Sequence, residues 1–495
     1  MEIKKYDVII LGSGISSLFL ANNLDVDLNV LILNSGQNRE TNSYLAQGGI
    51  AAAVGVEDDW AHHFEDTMIA GHGQNNKELV ELMVKSGPSV ICDLVELGVS
   101  FDKNETGEFA LGLEGAHSFP RIMKAGDHSG EAVMDALWRN LKNKPCLTFS
   151  EHTLAYRVDS YQEGFLVQTL STQIEDSNEP CLGTFFCSKI VFATGGISKL
   201  YHRTSNKSIG YDGLALAIDL GLKLSHLSWI QFHPTVFYNL VGHQEGFLVS
   251  EAVRGESGML LNQRGERFMN RYHPKLELAP RDVVSAAMIK EINGQEKPYL
   301  YLDVRHIGQK KMMQKFSKIT SYCNQAGIQL DRDLIPVAPG AHYTMGGIDV
   351  DQQGRTSLEN AYAIGECAHT GVHGKNRLAS NSLLEALVFS KLTAKEINKM
   401  KRGYENRVQV HLEHTRKIPH YNIKISELSS WMDKNMAINK NYEQINLMKL
   451  QIDALIQNPE AYVAINVDDI RTNNALKALQ RMIDETLEEN MYEFK

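Results

Sequence analysis

The chain has 495 residues, of which 43% are hydrophobic and 22% are charged, and its formal net charge at pH 7 is -10. This length exceeds that of one typical domain, and the composition is that of an ordinary globular protein. The negative balance argues against nucleic acid and against an anionic membrane surface as binding partners. No apolar run reaches the roughly 20 residues that a membrane-spanning helix needs.

The cysteines and the N-terminal segment both help to predict the cellular compartment of the protein. The cysteines are scattered and form no CxxC pair: Cys92, Cys146, Cys181, Cys187, Cys323 and Cys367. This spacing offers no zinc or iron–sulfur ligand set, so we predict no metal site, and unpaired cysteines are typical of a reducing compartment. The apolar stretch from Val8 to Leu20 contains several small polar residues and no cleavage site follows it, so it is not a signal peptide. We therefore predict a cytoplasmic protein.

The chain begins with the pattern of a βαβ unit. Residues 6–11 (YDVIIL) form a continuous apolar run, which is typical of a buried parallel strand. A Gly-Ser-Gly turn and a helix-like stretch from Ile15 to Leu24 follow, and Val30–Leu33 predicts a second strand. These elements together make a unit of about 30 residues, as in nucleotide-binding folds.

The turn itself predicts dinucleotide binding. It has the form Gly-x-Gly-x-x-Ser and comprises Gly12, Ser13, Gly14, Ile15, Ser16 and Ser17. Gly12 permits the tight turn, and Gly14 lets the backbone approach a pyrophosphate at the positive end of the helix. The acidic residue expected at the end of the second strand is replaced by Asn34, whose amide can still bond a ribose hydroxyl.

A second glycine-rich segment, Ala46–Ile50 (AQGGI), is not a turn between strands. It is either a flexible loop or a segment whose successive N–H groups approach a planar ligand.

The remaining patterns indicate an interrupted fold. A buried strand at 190–193 ends in Thr-Gly-Gly, residues 226–340 are richer in turns, and a buried strand returns at 361–366 before a helix from Ser382. Helical spacing follows at Ile445, Met448, Ile452 and Leu455 and at Leu476, Leu479, Ile483 and Leu487. We predict an α/β fold in which a Rossmann-like domain (1–228 and 341–400) is interrupted by an α+β capping domain (229–340), with a C-terminal helical bundle (401–495).

Two histidines and two arginines form a candidate substrate set: His233, Arg281, His342 and Arg377. Taken singly, each is more often an ordinary core or surface residue. Together they supply the guanidinium and imidazole donors that a dicarboxylate pocket needs. Pro280 suits the first turn of a helix and would place Arg281 near a helix N-terminus, where anions are favoured.

Nine motifs occur in the order found in the succinate dehydrogenase/fumarate reductase flavoprotein family, which the chain resembles over residues 5–400. They are GSGISS, AQGGIAA, FATGG, FHPT, SEAVRGESG, ELAPRDVV, AHYTMGG, AIGE and NRLASNSLLE. The resemblance implies that the Rossmann-like domain binds FAD. The cofactor residues it implies are Gly12, Ser13, Gly14, Ile15, Ser16, Asn34, Asn42, Ser43, Ala46, Gln47, Gly48, Gly49, Asp212, Glu366, Ser382 and Leu383.

The resemblance also implies roles at the substrate. His233, His342 and Arg377 would hold carboxylates, and Arg281 would move the proton with support from Glu251 and Arg254. Respiratory family members attach FAD through a histidine where this chain has Leu45, so we expect the FAD to be non-covalent.

Glu114, in the segment LEGAHS, resembles the glutamate that faces the substrate amino group in the aspartate-oxidising branch of the family. Without the resemblance, an exposed loop carboxylate would be the commoner role for it. The implied reaction is FAD-dependent oxidation of L-aspartate to iminoaspartate in NAD biosynthesis, with oxygen or fumarate reoxidising the flavin and hand-off of the product to quinolinate synthase. Two alternatives stay open: a soluble fumarate reductase, and a flavoprotein subunit that docks an iron–sulfur partner through residues 401–495.

Overall fold

The structure is a computed structural model, and it describes residues 2–173, 181–206, 208–239, 246–399, 407–409 and 417–493. The first half of the chain supplies a mixed sheet and the helices that cover it. The strands in this half of the chain, not all of which belong to that sheet, are β1 (Glu2–Leu11), β2 (Val30–Leu33), β3 (Ile50–Ala51), β4 (Leu111–Gly112), β5 (Ile122–Met123), β6 (Leu147–Ser150), β7 (Thr153–Tyr161), β8 (Gly164–Ser171), β9 (Leu182–Phe192) and β10 (Leu224–Ser225). Its helices are α1 (Ile15–Asn23), α2 (Asn42–Leu45), α3 (Trp60–Ala70), α4 (Lys77–Glu96), α5 (Ser129–Leu141) and α6 (Tyr211–Asp219).

The second half contains a separate sheet, a return to the first sheet and a C-terminal group of helices. Its strands are β11 (Ile230–Phe237), β12 (Met259–Leu261), β13 (Leu300–Asp303), β14 (Ile335–Thr344), β15 (Gly347–Asp349), β16 (Ala361–Ala363), β17 (Ala368–His369), β18 (Arg407–Gln409), β19 (Lys417–His420) and β20 (Ala461–Ala464). Its helices are α7 (Glu251–Gly255), α8 (Arg281–Asn293), α9 (Gln309–Lys315), α10 (Ser317–Gln325), α11 (Asn381–Ile397), α12 (Ile425–Asn435), α13 (Tyr442–Gln457) and α14 (Val467–Glu493).

The main sheet has the strand order β6-β2-β1-β9-β8-β7, with β16 paired to β9 and β18 paired to β1. The five strands β6, β2, β1, β9 and β16 are parallel, whereas β7, β8 and β18 are antiparallel to their neighbours. The chain therefore leaves the main sheet after β9 and returns to it at β16. The predicted α/β fold is confirmed, including the early strands and the helix α1.

Helices cover both faces of this sheet, which explains the continuous apolar runs Val8–Leu11 in β1 and Val30–Leu33 in β2. Val8 and Ile10 belong to the core formed with α1, α4, α5 and α11. Ile9 and Leu11 face the opposite core, formed with α6, α13 and α14. Alternate residues of one strand thus serve two cores, which explains why all four residues of Val8–Leu11 are apolar.

The second sheet has the order β11-β14-β13-β12 and is antiparallel throughout. Its strands β11 and β14 carry His233 and His342, and the register irregularity after His233 bends β11 at that point. Helix α8 packs against β11, which brings Arg281, the first residue of the helix, to the same place.

The C-terminal region is held to the main sheet by apolar packing. Ile445, Met448 and Ile452 of α13 are buried, as are Leu476, Leu479 and Ile483 of α14. The helical pattern is confirmed, but the pairing of β19 with β20 was not predicted. The limits of the predicted domains stay predictions, and residues 401–406, 410–416 and 494–495 of the C-terminal domain lie outside the described residues. Among the helices described, none is both long and apolar enough to cross a membrane.

Candidate active site

A cavity of about 770 Å³ opens at the carboxyl ends of β1 and β2 and extends to the second sheet. This is the edge where open α/β folds bind their ligands. Every residue that we assigned to the cofactor lines this cavity, and so do all the residues assigned to the substrate except Arg254. Segments far apart in the sequence therefore meet in one place.

The Gly-x-Gly turn has the geometry that its glycines predict. Gly12 has a φ of +102°, and a Cβ there would collide with the carbonyl oxygen of Ala193. Gly14 is the N-cap residue of α1, and no side-chain hydrogen bond from this residue caps the helix. The N–H of Ile15 donates to Ser43 Oγ at 3.1 Å, so α2 lies against the start of α1. The turn is held close to the backbone of β9, and the positive end of α1 borders the cavity.

Several buried polar atoms along the cavity lack a hydrogen-bond partner within the described residues. They include Ser13 Oγ, Asn34 Nδ2, Gln47 Oε1 and Asp212 Oδ2. Buried polar groups are nearly always satisfied, so these atoms indicate a polar ligand that extends along the cavity. A dinucleotide, with hydroxyl, phosphate and ring nitrogen groups along its length, fits this distribution.

The AQGGI segment is packed and does not form a free loop. Gln47 is buried, and its Nε2 donates to the carbonyl oxygen of Leu248 at 3.0 Å. A Cβ on Gly49 would collide with the carbonyl of Met123. Leu45 lines the cavity and carries no nucleophilic atom, so it cannot form a covalent bond to a flavin. The interpretation that this backbone lies against a ligand is favoured over the flexible loop.

Glu366 is a buried acid on the cofactor side of the cavity. Its Oε1 accepts a hydrogen bond from the N–H of Thr344 at 2.9 Å. Burial raises the pKa of Glu366 to about 7. Its carboxyl group therefore carries a proton at mildly acidic pH and can then donate as well as accept a hydrogen bond.

Arg281 and Arg377 present two guanidinium groups to the other part of the cavity. Arg281 Nε donates to Glu251 Oε2 at 2.6 Å and its Nη1 donates to Gln231 Oε1 at 2.9 Å. Arg377 Nη2 donates to the same Gln231 oxygen at 3.2 Å, and its buried Nε has no partner among the described residues. Arg377 also stacks over the ring of Tyr343, 4.5 Å from its centroid. Both cations are oriented and retain free N–H donors for an anion.

His233 and His342 form an edge-to-face pair whose ring centroids are 5.1 Å apart. Burial, followed by the charge of Arg281, holds the pKa of both rings well below the usual value, so both are neutral. His233 Nδ1 accepts from the N–H of Thr235 at 3.2 Å, which leaves the ring proton on Nε2. That buried Nε2–H has no partner among the described residues. It is a free donor directed at the ligand space.

Glu251 and Arg254 support this cluster from behind. Burial alone would raise the pKa of Glu251, but the charges of Arg281 and Arg254 outweigh it and lower the pKa. Arg254 Nη2 lies 3.6 Å from Glu251 Oε2, and its Nη1 donates to the carbonyl oxygen of Glu277. Glu251 thus stays ionised between two arginines, and Arg254 acts through it without lining the cavity.

Glu114 is buried on the cavity wall and is not an exposed loop carboxylate. Its Oε2 accepts from Ser380 Oγ at 2.6 Å, and Lys124 Nζ lies 3.5 Å from its Oε1. The loop that carries it is anchored by Arg121, whose fully buried guanidinium donates to both Asp58 and Asp66. The loop therefore holds a rigid carboxylate in the same cavity as Arg281, Arg377 and the two histidines.

The structure adds residues that the sequence did not reveal. Gln231 bridges the two arginines, Tyr343 supports Arg377, and Arg471 reaches the cavity from α14. Gln231 stands immediately before the FHPT motif, but a neutral amide carries no pattern that distinguishes it from a solvated side chain. Only the tertiary structure brings these three residues to the site.

Comparison with known proteins identifies the family. A family model described as an FAD binding domain matches residues 7–383. The L-aspartate oxidase of Clostridium perfringens is 40% identical over 403 residues, which cover 79% of this chain and 86% of that protein. The chain belongs to the L-aspartate oxidase family. The Bacillus subtilis member of the family is 38% identical over 453 residues, covering 91% of this chain and 82% of that protein.

Solved structures show the same fold at lower identity. A quinol-fumarate reductase determined with menaquinol molecules superposes with a TM-score of 0.86 and 23% identity, covering 99% of this chain and 91% of that one. Two predictions are therefore confirmed: the family to which the chain belongs and FAD as its cofactor. The individual site residues and their roles stay predictions, supported by their convergence on one cavity.

Proposed function

We propose that the protein is an FAD-dependent enzyme that oxidises L-aspartate to iminoaspartate, the entry reaction of the quinolinate branch of NAD biosynthesis. The observation that carries this proposal is the buried carboxylate of Glu114 in the same cavity as Arg281, Arg377 and the neutral His233–His342 pair. Aspartate has two carboxylates and one ammonium group, and the cavity offers cations and donors for the first and an acid for the second.

The charges of the cavity match those of aspartate. Arg377 and the two neutral imidazoles supply N–H donors to carboxylate oxygens, and charge-assisted bonds of this kind are the strong ones. Glu114 accepts from the ammonium group, which fixes which face of the substrate points into the cavity. Because Arg121 and Ser380 hold the Glu114 loop, this acceptor is positioned before the substrate arrives.

The chain's own groups orient the substrate and manage charge. FAD, when bound, would supply the hydride acceptor, and the protein supplies position and electrostatics. The residues that line the cofactor part of the cavity, from Gly12 to Ser16 and from Asn42 to Gly49, would hold it. Arg281 is fixed by Glu251 and Gln231 at the start of α8, where it would take the proton-transfer role at the substrate that the family resemblance implies. We expect oxygen or fumarate to serve as the terminal electron acceptor.

The two alternatives are not favoured. A soluble fumarate reductase would gain nothing from a buried carboxylate, since fumarate is a dianion without an amino group and Glu114 would repel it. An obligate iron–sulfur partner is not required by the comparisons, because the relatives that match most of the chain are L-aspartate oxidases. Iminoaspartate is labile, so we propose that the product is passed to quinolinate synthase.

Steady-state turnover tests the proposal. Iminoaspartate hydrolyses to oxaloacetate and ammonia, so the purified chain with oxygen should release ammonia from L-aspartate and none from D-aspartate. L-Asparagine, which lacks one carboxylate, should be a poor substrate. Equal turnover of L-asparagine, or no turnover of L-aspartate by protein that contains FAD, would contradict the proposed function.

A further inference from the structure

The C-terminal helix α14 reaches the FAD cavity. Arg471 lies in its first turns and lines the cavity together with Asp212 of α6. Arg471 Nε is 3.9 Å from Asp212 Oδ2, and neither of these buried atoms has a hydrogen-bond partner within the described residues. An N–H donor and a carboxylate oxygen therefore stand side by side on the cavity wall as a loose ion pair, each without a hydrogen bond among the described residues.

The part of the cavity that they border can be identified from its neighbours. Ile470, the residue before Arg471, packs with Leu154 and Tyr156 of β7. The first residue of β7, Thr153, donates its N–H to the carbonyl oxygen of Asn34 at 2.8 Å. Asn34 stands at the end of β2, where dinucleotide-binding folds hold the adenosine ribose. Arg471 thus lies at the adenosine end of the cavity, with Thr153, Leu154 and Ala155 as fellow lining residues.

The position of Arg471 is fixed by a series of contacts between α14 and the rest of the protein. Asn474 Nδ2 donates to Asp212 Oδ1 at 2.8 Å, and Lys477 Nζ pairs with Asp219 at 2.6 Å. Further along, Glu485 accepts from the backbone N–H groups at the start of the segment His226–Ser228, and Glu489 accepts from Ser228 Oγ. These contacts hold α14 along α6, so the helix backbone keeps Arg471 at the cavity wall.

We propose that Arg471, with Asp212 as its partner, binds the adenosine diphosphate half of FAD, so that the C-terminal helix completes the cofactor site. Arg471 supplies N–H donors to a phosphate or ring nitrogen, and Asp212 Oδ2 accepts from an amino or hydroxyl group. The FAD binding domain model ends at residue 383, so a cofactor residue at 471 lies outside the part of the chain to which FAD binding is assigned. The proposal rests on FAD binding and does not depend on the identity of the substrate.

The test compares two cations of the same helix. Arg471→Met and Lys477→Met each remove one positive charge and one ion pair to α6, but Lys477 does not line the cavity. Dilution of the holoenzyme, followed by the fluorescence of released FAD, gives the Kd for FAD. Competition gives the Kd for ADP and for FMN.

We expect Arg471→Met to weaken FAD and ADP binding by the same factor, on the order of tenfold to a hundredfold, which is the value of one or two charge-assisted hydrogen bonds. FMN binding should change less than about twofold by the same scale, and Lys477→Met should leave all three constants near wild type. An Arg471→Met variant that binds ADP and FAD as tightly as Lys477→Met, or that loses FMN affinity equally, would overturn the proposal.

Arg471→Lys is a second variant that tests the proposal even if Arg471→Met does not fold. It keeps a cation opposite Asp212 but loses the planar set of N–H donors. The far-UV circular dichroism and Tm of each full-length variant are recorded first. Severalfold weaker ADP binding by a folded Arg471→Lys protein supports the proposal, and wild-type ADP affinity in that variant contradicts it.

Discussion

Arg281 and Arg377 share one hydrogen-bond acceptor, the Oε1 of Gln231, at 2.9 and 3.2 Å. The Nε2 of the same amide donates to the Asn376 side chain and to the carbonyl oxygen of Arg377. One neutral side chain therefore sets the distance between two like charges that come from different elements, α8 and the segment before α11. Without it, the guanidinium groups would repel each other and lose their common orientation.

Replacement of Gln231 by Met should impair both stability and substrate binding. The change preserves the length of the side chain but leaves buried donors of Arg281 and Arg377 unsatisfied, which costs about 1–3 kcal/mol. We expect a lower Tm and a KM for L-aspartate raised by about tenfold or more, since 1.4 kcal/mol corresponds to tenfold. Steady-state kinetics and thermal denaturation check this. An unchanged KM would show that the shared acceptor is not needed to orient the arginines.

Arg281→Leu should abolish catalysis while the protein keeps its cofactor. Arg281 lies at the substrate part of the cavity, so FAD content should stay near stoichiometric, whereas a lost proton-transfer group lowers kcat by about 100- to 10,000-fold. Arg264→Leu is a suitable control because Arg264 is an exposed cation of the same region. A folded, FAD-loaded Arg281→Leu protein with full activity would remove Arg281 from the mechanism.

Glu114→Gln tests the ammonium subsite. The amide is isosteric with the carboxylate but neutral, so the loss of one charged hydrogen bond should lower kcat/KM for L-aspartate by about tenfold to a hundredfold. Fumarate reduction by the chemically reduced protein should be unchanged or faster, because a repulsive charge is removed. Glu108→Gln, at an exposed position nearby, provides the control. Equal losses with both substrates would assign Glu114 a purely structural role.

Glu366 makes the stability of the FAD-free protein depend on pH. Its pKa is raised from 4.5 to about 7, so the folded state retains a proton that the unfolded state has lost within this range. The stabilisation is fully present below pH 4.5 and is lost as the pH rises through about 7. At about 1.4 kcal/mol per pKa unit, the loss amounts to at most about 3.5 kcal/mol.

Glu366→Gln should remove this dependence. We expect the free energy of unfolding of the variant, relative to wild type, to increase between pH 5 and pH 8, as measured by urea denaturation of the full chain without FAD. Glu359→Gln, an exposed neighbour on the chain, should show no such trend. A relative stability that does not change with pH would mean that Glu366 titrates near its ordinary pKa.

The parts of the molecule that could be predicted from the sequence are those whose signal is local. The run Tyr6–Leu11, the Gly12–Gly14 turn and the helix at Arg281 each depend on neighbouring residues, and each is formed as predicted. The cluster of His233, His342 and Arg377 was inferred from residue types and resemblance, and the cavity brings these residues together.

Other features depend on contacts between distant segments. Gln231 and Arg471 are ordinary polar residues in sequence, and their roles arise only from the packing of α8 on β11 and of α14 on α6. The pairing of β19 with β20 also escaped prediction, because Ala461–Ala464 lies between two helices, is largely exposed and lacks an alternating pattern. Such features require the fold before they can be inferred.

Anaerobic mixing of the FAD-loaded protein with L-aspartate tests the central claim most directly. The protein should lose its visible flavin absorbance with L-aspartate and keep it with an equal concentration of succinate, which has the same two carboxylates but no amino group. Bleaching by succinate, or reoxidation of the reduced protein by fumarate together with no response to L-aspartate, would contradict aspartate oxidation and favour a fumarate reductase.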